Sequence, residues 1–165
     1  VGASYVIVGH SERRAKGESE ERILEKVKRA LANDLIPIVC VGEKKRDQDA
    51  EYLVELKRQI SSVFSTLSPK ERMQVIVAYE PVWAIGKDVE HAITEPDLAE
   101  MVLYIRKIVG EFLIGKNAKA IVLYGGSVEP GNIRSLAGGT GVDGFLVGHA
   151  SVDAQMFSAL VKALV

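Results

Sequence analysis

Five short and nearly wholly apolar runs recur along the chain, separated by longer stretches in which apolar residues follow a helical period. The runs are Tyr5 to Val8, Ile36 to Val41, Val75 to Tyr79, Ile121 to Tyr124 and Phe145 to Val147. Continuous apolar character, without alternation, is typical of parallel strands that are covered by helices. The alternation of runs and helical stretches therefore predicts an α/β fold of five consecutive βα units with an all-parallel sheet.

The stretches between and after the runs each place apolar residues on one helical face. These faces consist of Ile23, Leu24, Val27, Ala30 and Leu31; Leu53, Leu56, Ile60, Val63, Phe64 and Leu67; Leu98, Met101, Val102, Ile105, Ile108, Val109 and Phe112; and Met156, Phe157, Leu160, Val161 and Leu164. The fourth connection is weaker, because Gly138 and Gly139 interrupt a short helix around Ile133 and Leu136. No linker divides the sequence, so residues 1–165 are predicted to form a single domain.

The net charge and the cysteine content limit which binding partners and which cellular compartment are expected. The 165 residues carry a formal net charge of -1, which gives no electrostatic footprint for nucleic acid or an anionic membrane surface. No apolar run approaches the roughly 18 residues that suggest a membrane span, and the N-terminus lacks a signal-peptide pattern. The one cysteine, Cys40, excludes an internal disulfide and fits a reducing compartment. We therefore expect a cytoplasmic protein without nucleic-acid or membrane partners.

Two chemically useful residues follow predicted strands, at the edge of a parallel sheet where α/β folds place their chemistry. His10 comes after the first strand at a predicted helix start, where the helix dipole disfavours the imidazolium and keeps a neutral donor. Glu80 ends the third strand before Pro81, so its carboxylate is expected to leave the sheet at the site face instead of entering the core. Taken alone, His10 is more often a capping histidine and Glu80 a solvated or ion-paired side chain.

Glycine-rich loops follow the fourth and fifth strands. Gly125, Gly126 and Ser127 follow the fourth strand, and Gly148 follows the fifth. Backbone N–H groups in such loops can approach a phosphate closely, although each loop alone is an equally good tight turn. A carboxylate base, a neutral donor and two phosphate loops at successive strand ends together indicate proton transfer beside a carbonyl in a phosphorylated substrate.

Five ordered segments, YVIVGHSERR, IPIVCVGE, AYEPVWAIG, LYGGSV and VDGFLVG, resemble successive signatures of the triosephosphate isomerase family, and the match extends over essentially the whole chain. The resemblance implies a partial TIM barrel. It also implies the cofactor-free interconversion of dihydroxyacetone phosphate and glyceraldehyde 3-phosphate, a step of glycolysis and gluconeogenesis. By motif, Glu80 would be the catalytic base and His10 the electrophile that polarises the carbonyl.

The same resemblance assigns further roles. The implied substrate-binding residues, which would contact the phosphate, are Gly86, Ser127, Gly148 and His149. The segment from Pro81 to about Ala92 resembles a mobile lid. Arg106 and Asp143 match a pair that forms a structural salt bridge, which we assign to folding.

One stretch and one residue that directly follow matching segments depart from the family pattern. The lid reads Lys87, Asp88, Val89, Glu90 and His91 where the family has threonine, glycine and lysine, and His149 replaces a glycine. The imidazole of His149 adds bulk where a phosphate would press on the backbone. His91 and His149 could suggest a metal pair, but no acidic or sulfur cluster accompanies them, and neither a metal nor any other cofactor is predicted.

The family's first strand supplies an asparagine and a lysine, and these 165 residues contain no counterpart. Losing one preorganised charge partner costs on the order of 10² to 10³ in rate, so we expect the chain alone to be inactive or very weak. The alternatives are a non-catalytic phosphate-binding remnant and an oligomeric scaffold. Five strands also leave two free edges and an open inward face, to which Val39 and Val77 are assigned, and this predicts a homo-oligomer formed through those edges or faces.

Overall fold

One parallel sheet of five strands organises the chain in the computed structural model, which describes residues 2–85, 93–115 and 119–164. The strands are β1 (Tyr5–Val8), β2 (Ile36–Val41), β3 (Ile76–Tyr79), β4 (Val122–Tyr124) and β5 (Gly144–Phe145). Each strand pairs with the next one along the chain, and β1 and β5 form the two edges. This open, all-parallel sheet confirms the predicted partial barrel. The first two strands have the predicted bounds, β3 and β4 each begin one residue later, and β5 is shorter and begins one residue earlier.

Helices alternate with the strands as the apolar spacing predicts. They are α1 (Ser11–Ala15), α2 (Glu20–Leu31), α3 (Glu51–Phe64), α4 (Pro69–Arg72), α5 (Glu95–Gly110), α6 (Ile133–Gly139) and α7 (Ala154–Leu164). Side-chain caps start α2 at Ser19 and α5 at Thr94, each hydroxyl accepting a backbone N–H of the first turn. The short helix α1 begins directly after His10, at the predicted helix start, whereas the sequence did not predict α4, which carries no apolar stripe. Over the described residues, no helix combines the length and apolarity needed to cross a membrane.

The helix-covered face of the sheet carries a row of valines in register. Val8 pairs with Val39, Val39 with Val77, and Val77 with Val122, and all four are at most 4% exposed. They belong to one core with helix residues such as Ile23. The assignment of Val39 and Val77 to an open inward face is therefore wrong. Their positions alternate onto the side that α2, α3 and α5 cover.

The opposite face of the sheet carries isoleucines one position earlier in the same register. Ile7 pairs with Ile38 and Ile38 with Ile76, while Ile121 precedes Val122 on β4. Ile7 is 49% exposed and Ile121 is 45% exposed, whereas Ile38 and Ile76 are partly buried. We call these four residues the isoleucine row. They form the apolar surface that the described helices leave uncovered.

Arg106 and Asp143 form the predicted ion pair, with 2.7 Å between Arg106 Nη2 and Asp143 Oδ2. Asp143 also accepts hydrogen bonds from Lys119 Nζ at 2.8 Å and from the backbone N–H of Val122 at 2.9 Å. The carboxylate thus joins α5 to the start of β4. This contact confirms the predicted salt bridge.

The core on the helix-covered face should account for most of the stability. We expect Ile105→Ala, at a fully buried position of α5, to lower the free energy of unfolding by about 2–5 kcal/mol, because it leaves a cavity. The matched control is Leu103→Ala on the same helix, where the side chain is 67% exposed and the change should stay within about 0.5 kcal/mol. Urea unfolding followed by circular dichroism measures both. Equal losses in the two variants would contradict this assignment of the core.

Candidate active site

His10 begins the site at the carboxyl end of β1. Gly9 takes φ +71° and turns the chain, so that His10 becomes the N-cap of α1. Its Nδ1 accepts the backbone N–H of Glu12 at 3.4 Å. A ring nitrogen that accepts carries no proton, so this contact assigns the proton to Nε2. The capping role that the sequence suggests for His10 is therefore confirmed, and its Nε2 faces Glu80.

Glu80 follows β3, and its carboxylate meets His10 across the sheet. Oε1 lies 3.1 Å from His10 Nε2, and Oε2 accepts the backbone N–H of Ser11 at 2.9 Å. The carboxylate therefore lies at the site face, as expected, but it is buried there, since the residue is only 2% exposed. Glycines leave room for it: a Cβ on Gly42 would come within 1.8 Å of the Glu80 carbonyl oxygen, and one on Gly125 within 3.0 Å of its Cγ.

Burial makes Glu80 a stronger base than an ordinary glutamate. Removal from water raises the pKa of its carboxyl, while the Ser11 N–H, the proximity of His10 and the Cys40 thiol oppose that rise. The net direction is upward. A carboxylate with a raised pKa beside a neutral N–H donor can take a proton from carbon while the donor polarises a carbonyl.

Glu43, which follows β2, is a second buried carboxylate at the same end of the sheet. It is 1% exposed, and its Oε1 accepts from the Tyr79 hydroxyl at 2.9 Å and from Trp83 Nε1 at 2.7 Å. Its Oε2 has no hydrogen-bond partner among the described residues. Burial raises the pKa of Glu43 against the opposing effect of its donors. Sequence reasoning assigned no role to this residue, although its place two residues after the end of a strand was a usable signal.

The start of the predicted lid contacts the loop after β4. Residues Val82–Ala84 form a 3₁₀ turn, and the Ser127 hydroxyl donates to the Ala84 carbonyl oxygen at 3.1 Å. Ser127 therefore lies where the lid segment leaves the sheet. Gly86 and the lid residues through Ala92 lie outside the described residues.

Gly148 and His149 follow β5 at the same end of the sheet as Ser127, since β4 and β5 are parallel neighbours. A 3₁₀ helix spans His149–Val152, and the Ser151 hydroxyl donates to the Gly148 carbonyl oxygen at 2.6 Å. A Cβ on Gly148 would meet nothing within 4 Å, and His149 is exposed. The structure thus brings His10 and Glu80 into contact, and Ser127 against the lid start.

No group of three or more histidine, cysteine, aspartate or glutamate side chains is placed to hold a metal ion in residues 2–85, 93–115 and 119–164. His91, considered as a partner for His149, lies outside those ranges.

Comparison with known proteins gives a consistent result. The profile of the triosephosphate isomerase family matches residues 1–164. Triosephosphate isomerases of Endomicrobium trichonymphae and Roseiflexus sp. (strain RS-1) are 44% and 45% identical to the chain over 98% and 99% of its length. That of Moorella thermoacetica is 43% identical over 98%. The chain spans 64–65% of the length of these three relatives.

The buried Glu43 should give the chain a measurable pH dependence. Because its pKa is raised on folding, Glu43 binds a proton in the folded chain at pH values where the unfolded chain is already ionised. Its contribution to the free energy of unfolding should therefore decrease as pH rises from the ordinary glutamate value through the raised one.

Denaturant unfolding at a series of pH values, for the parent and for Glu43→Gln, isolates this contribution as the difference between the two profiles. Trp83, the one tryptophan of the sequence, reports the same event by fluorescence through its bond to Glu43. Glu100→Gln, at an exposed α5 position, is the control and should retain the parental profile. Parallel profiles for the parent and Glu43→Gln would contradict the assignment.

Proposed function

The chain belongs to the triosephosphate isomerase family, and from this premise we propose that its residues carry the proton-transfer centre for interconverting dihydroxyacetone phosphate and glyceraldehyde 3-phosphate. The observation that carries the proposal is the 3.1 Å contact between His10 Nε2 and the buried Glu80 Oε1. It joins a base of raised pKa to a neutral N–H donor, which are the two groups that an aldose–ketose isomerisation through an enediolate requires.

In this mechanism Glu80 takes a proton from the carbon beside the substrate carbonyl. The C–H electron pair forms the C=C bond of the enediolate, and the carbonyl π pair moves to oxygen. His10 Nε2–H, released from Glu80 when substrate enters, donates to that oxygen as its charge grows. The protonated Glu80 then returns its proton to the former carbonyl carbon. His10 gives its Nε2 proton to the former carbonyl oxygen and takes the proton of the neighbouring hydroxyl group, whose O–H electron pair forms the new carbonyl, so the isomerisation is complete without a cofactor.

We assign substrate phosphate binding to Gly86, Ser127, Gly148 and His149. The contact of Ser127 with Ala84 and the parallel pairing of β4 with β5 support a phosphate site at this end of the sheet. The exposed imidazole of His149 would add a titratable donor beside the phosphate. The ligand class is triose phosphate or another small phosphorylated molecule.

We expect slow turnover from the 165 residues alone, because they contain no counterpart of the asparagine and lysine found on the family's first strand. Loss of one such preorganised charge lowers the rate by on the order of 10² to 10³. A role in glycolysis and gluconeogenesis in the cytoplasm is consistent with the single cysteine, Cys40, whose thiol is buried and forms no disulfide.

Removing the base should remove whatever isomerase activity the chain has. We expect Glu80→Gln to lower kcat/KM for glyceraldehyde 3-phosphate by about 10²-fold or more, since the amide cannot accept the proton. Glu25→Gln, on the exposed surface of α2, is the matched control and should keep the parental value. A coupled assay measures all three proteins. An unchanged rate in Glu80→Gln would contradict the proposed chemistry.

Calorimetry with phosphoglycolate, a mimic of the enediolate, separates the alternatives if the parent shows no turnover. Heat of binding without turnover would favour a phosphate-binding protein. The absence of both would favour a scaffold.

We also propose that copies of the chain self-associate through the β1 edge and the isoleucine row. Tyr5 is 56% and Ile7 is 49% exposed on β1, whose outer edge has no strand partner among the described residues. Unpaired strand edges beside exposed apolar side chains favour pairing with another chain.

Sedimentation tests this association. The parent should sediment above its 17.9 kDa monomer mass in a concentration-dependent way, and Ile7→Lys should shift it toward the monomer. Leu103→Lys, at an exposed apolar position on α5, should leave the parental distribution unchanged. A parent that stays monomeric at all concentrations would contradict the interface.

A further inference from the structure

Arg14 joins the carboxyl ends of the first two strands through one guanidinium group. Its Nε donates to the Gly9 carbonyl oxygen at 2.8 Å, and its Nη2 donates to the Cys40 carbonyl oxygen at 3.0 Å. Gly9 follows β1, and Cys40 lies near the end of β2. The Arg14 side chain is only 14% exposed, so both bonds form largely away from water.

An ion pair with the largely buried Glu20 also holds this guanidinium. Arg14 Nη1 lies 2.6 Å from Glu20 Oε1, at the first residue of α2. Glu20 is 12% exposed and also contacts Arg58 Nη2 and the Ser62 hydroxyl of α3, each at 3.2 Å. A continuous chain of polar contacts therefore runs from α3 through Glu20 and Arg14 to the two strand ends.

The two carbonyl groups that Arg14 holds belong to residues that flank the proton-transfer pair. Gly9 directly precedes His10, whose Nε2 faces Glu80 at 3.1 Å. The Cys40 thiol lies close enough to the Glu80 carboxylate to lower the pKa of that carboxyl. We propose that Arg14 is a positioning residue, which sets the His10–Ser11 turn against the Glu80 carboxylate by fixing the ends of β1 and β2.

The proposal rests on the proposed role of His10 and Glu80 and extends it to a residue that does not touch substrate. An arginine suits the task because its planar group presents donors in a fixed fork. A lysine at the same place donates from a single nitrogen, which cannot reproduce the geometry toward both carbonyls and Glu20. The competing interpretation is that Arg14 only supports folding.

The Ser11 backbone N–H supplies a readout that simple folding support would not change. It donates to Glu80 Oε2 at 2.9 Å, so its amide chemical shift follows the ionisation of Glu80 and the separation of the two groups. His10 and the Cys40 thiol are the titratable groups that face Glu80, and the pH range is chosen below the titration of the thiol, whose pKa burial raises. Amide spectra of ¹⁵N-labelled chain over this range track the Ser11 signal directly.

We expect Arg14→Lys and Arg14→Gln to reduce the amplitude of the Ser11 pH shift and to raise its midpoint. The midpoint rises because the Ser11 N–H and His10 both lower the pKa of Glu80, and both contacts loosen. The matched control is Arg13→Gln: that side chain is 59% exposed, and its ion pair with Glu18 is 3.7 Å long. The control should retain the parental Ser11 profile.

An unchanged Ser11 profile in a folded Arg14→Lys chain, with only a lower unfolding temperature, would overturn the proposal. If neither Arg14 variant folds, Glu20→Gln tests the same contact, because it weakens the ion pair and keeps all of Arg14; an unmoved Ser11 profile there would also overturn it. The readout needs no turnover. A normal rate in Glu80→Gln would defeat the proposed function alone, whereas an unmoved Ser11 amide would defeat the positioning role alone.

Discussion

The contact between Glu80 and the His10–Ser11 turn joins two strands that are not neighbours, and the geometry of the site depends on it. β2 lies between β1 and β3, so the Glu80 side chain reaches across the end of the intervening strand. Gly42 stands at that end, and any side chain there would collide with the backbone of Glu80. A buried carboxylate is costly without partners, and the two donors on the far side offset part of that cost. The part that is not offset remains as a raised pKa, which is the property a base needs.

The two faces of the sheet differ. Helices cover one face, and the candidate site lies at the end of the other, uncovered face. Valines fill the helix-covered side and close a core within the chain. The alternation of β3 places Ile76 and Ala78 on the other side, and Glu80 lies two residues further in the same phase. On this side Ala78 and Glu80 are at most 2% exposed, whereas Ile7 and Ile121 at the ends of the isoleucine row are 49% and 45% exposed.

Sequence reasoning found the strands and the long helices because they leave strong local signals, and it singled out His10 and Glu80, which the structure brings into contact. Apolar runs and helical spacing are readable directly, and residues that follow parallel strands converge at one edge. The face of each strand residue was not readable, because runs as apolar as β2 lack the alternation that distinguishes two sides, and Val39 was misassigned for that reason. Arg14 was missed because an arginine within a charged helix start resembles a solvated residue. Its proposed positioning role depends on hydrogen bonds to carbonyl groups that lie 5 and 26 positions away in the sequence.

Two buried glutamates lie at neighbouring strand ends, and one of them, Glu43, holds the backbone around the other, Glu80. Glu43 binds Tyr79, the residue before Glu80, and Trp83, three residues after it, so it holds the backbone on both sides of Glu80. Hydrogen bonds to a charged acceptor contribute about 1.5–3 kcal/mol each. Movement of the chain that begins at Trp83 would have to break the Trp83–Glu43 bond, and movement at Ala84 would break the bond from Ser127. The same contacts that hold the backbone around Glu80 therefore set the free-energy cost of displacing the start of the segment proposed as a lid.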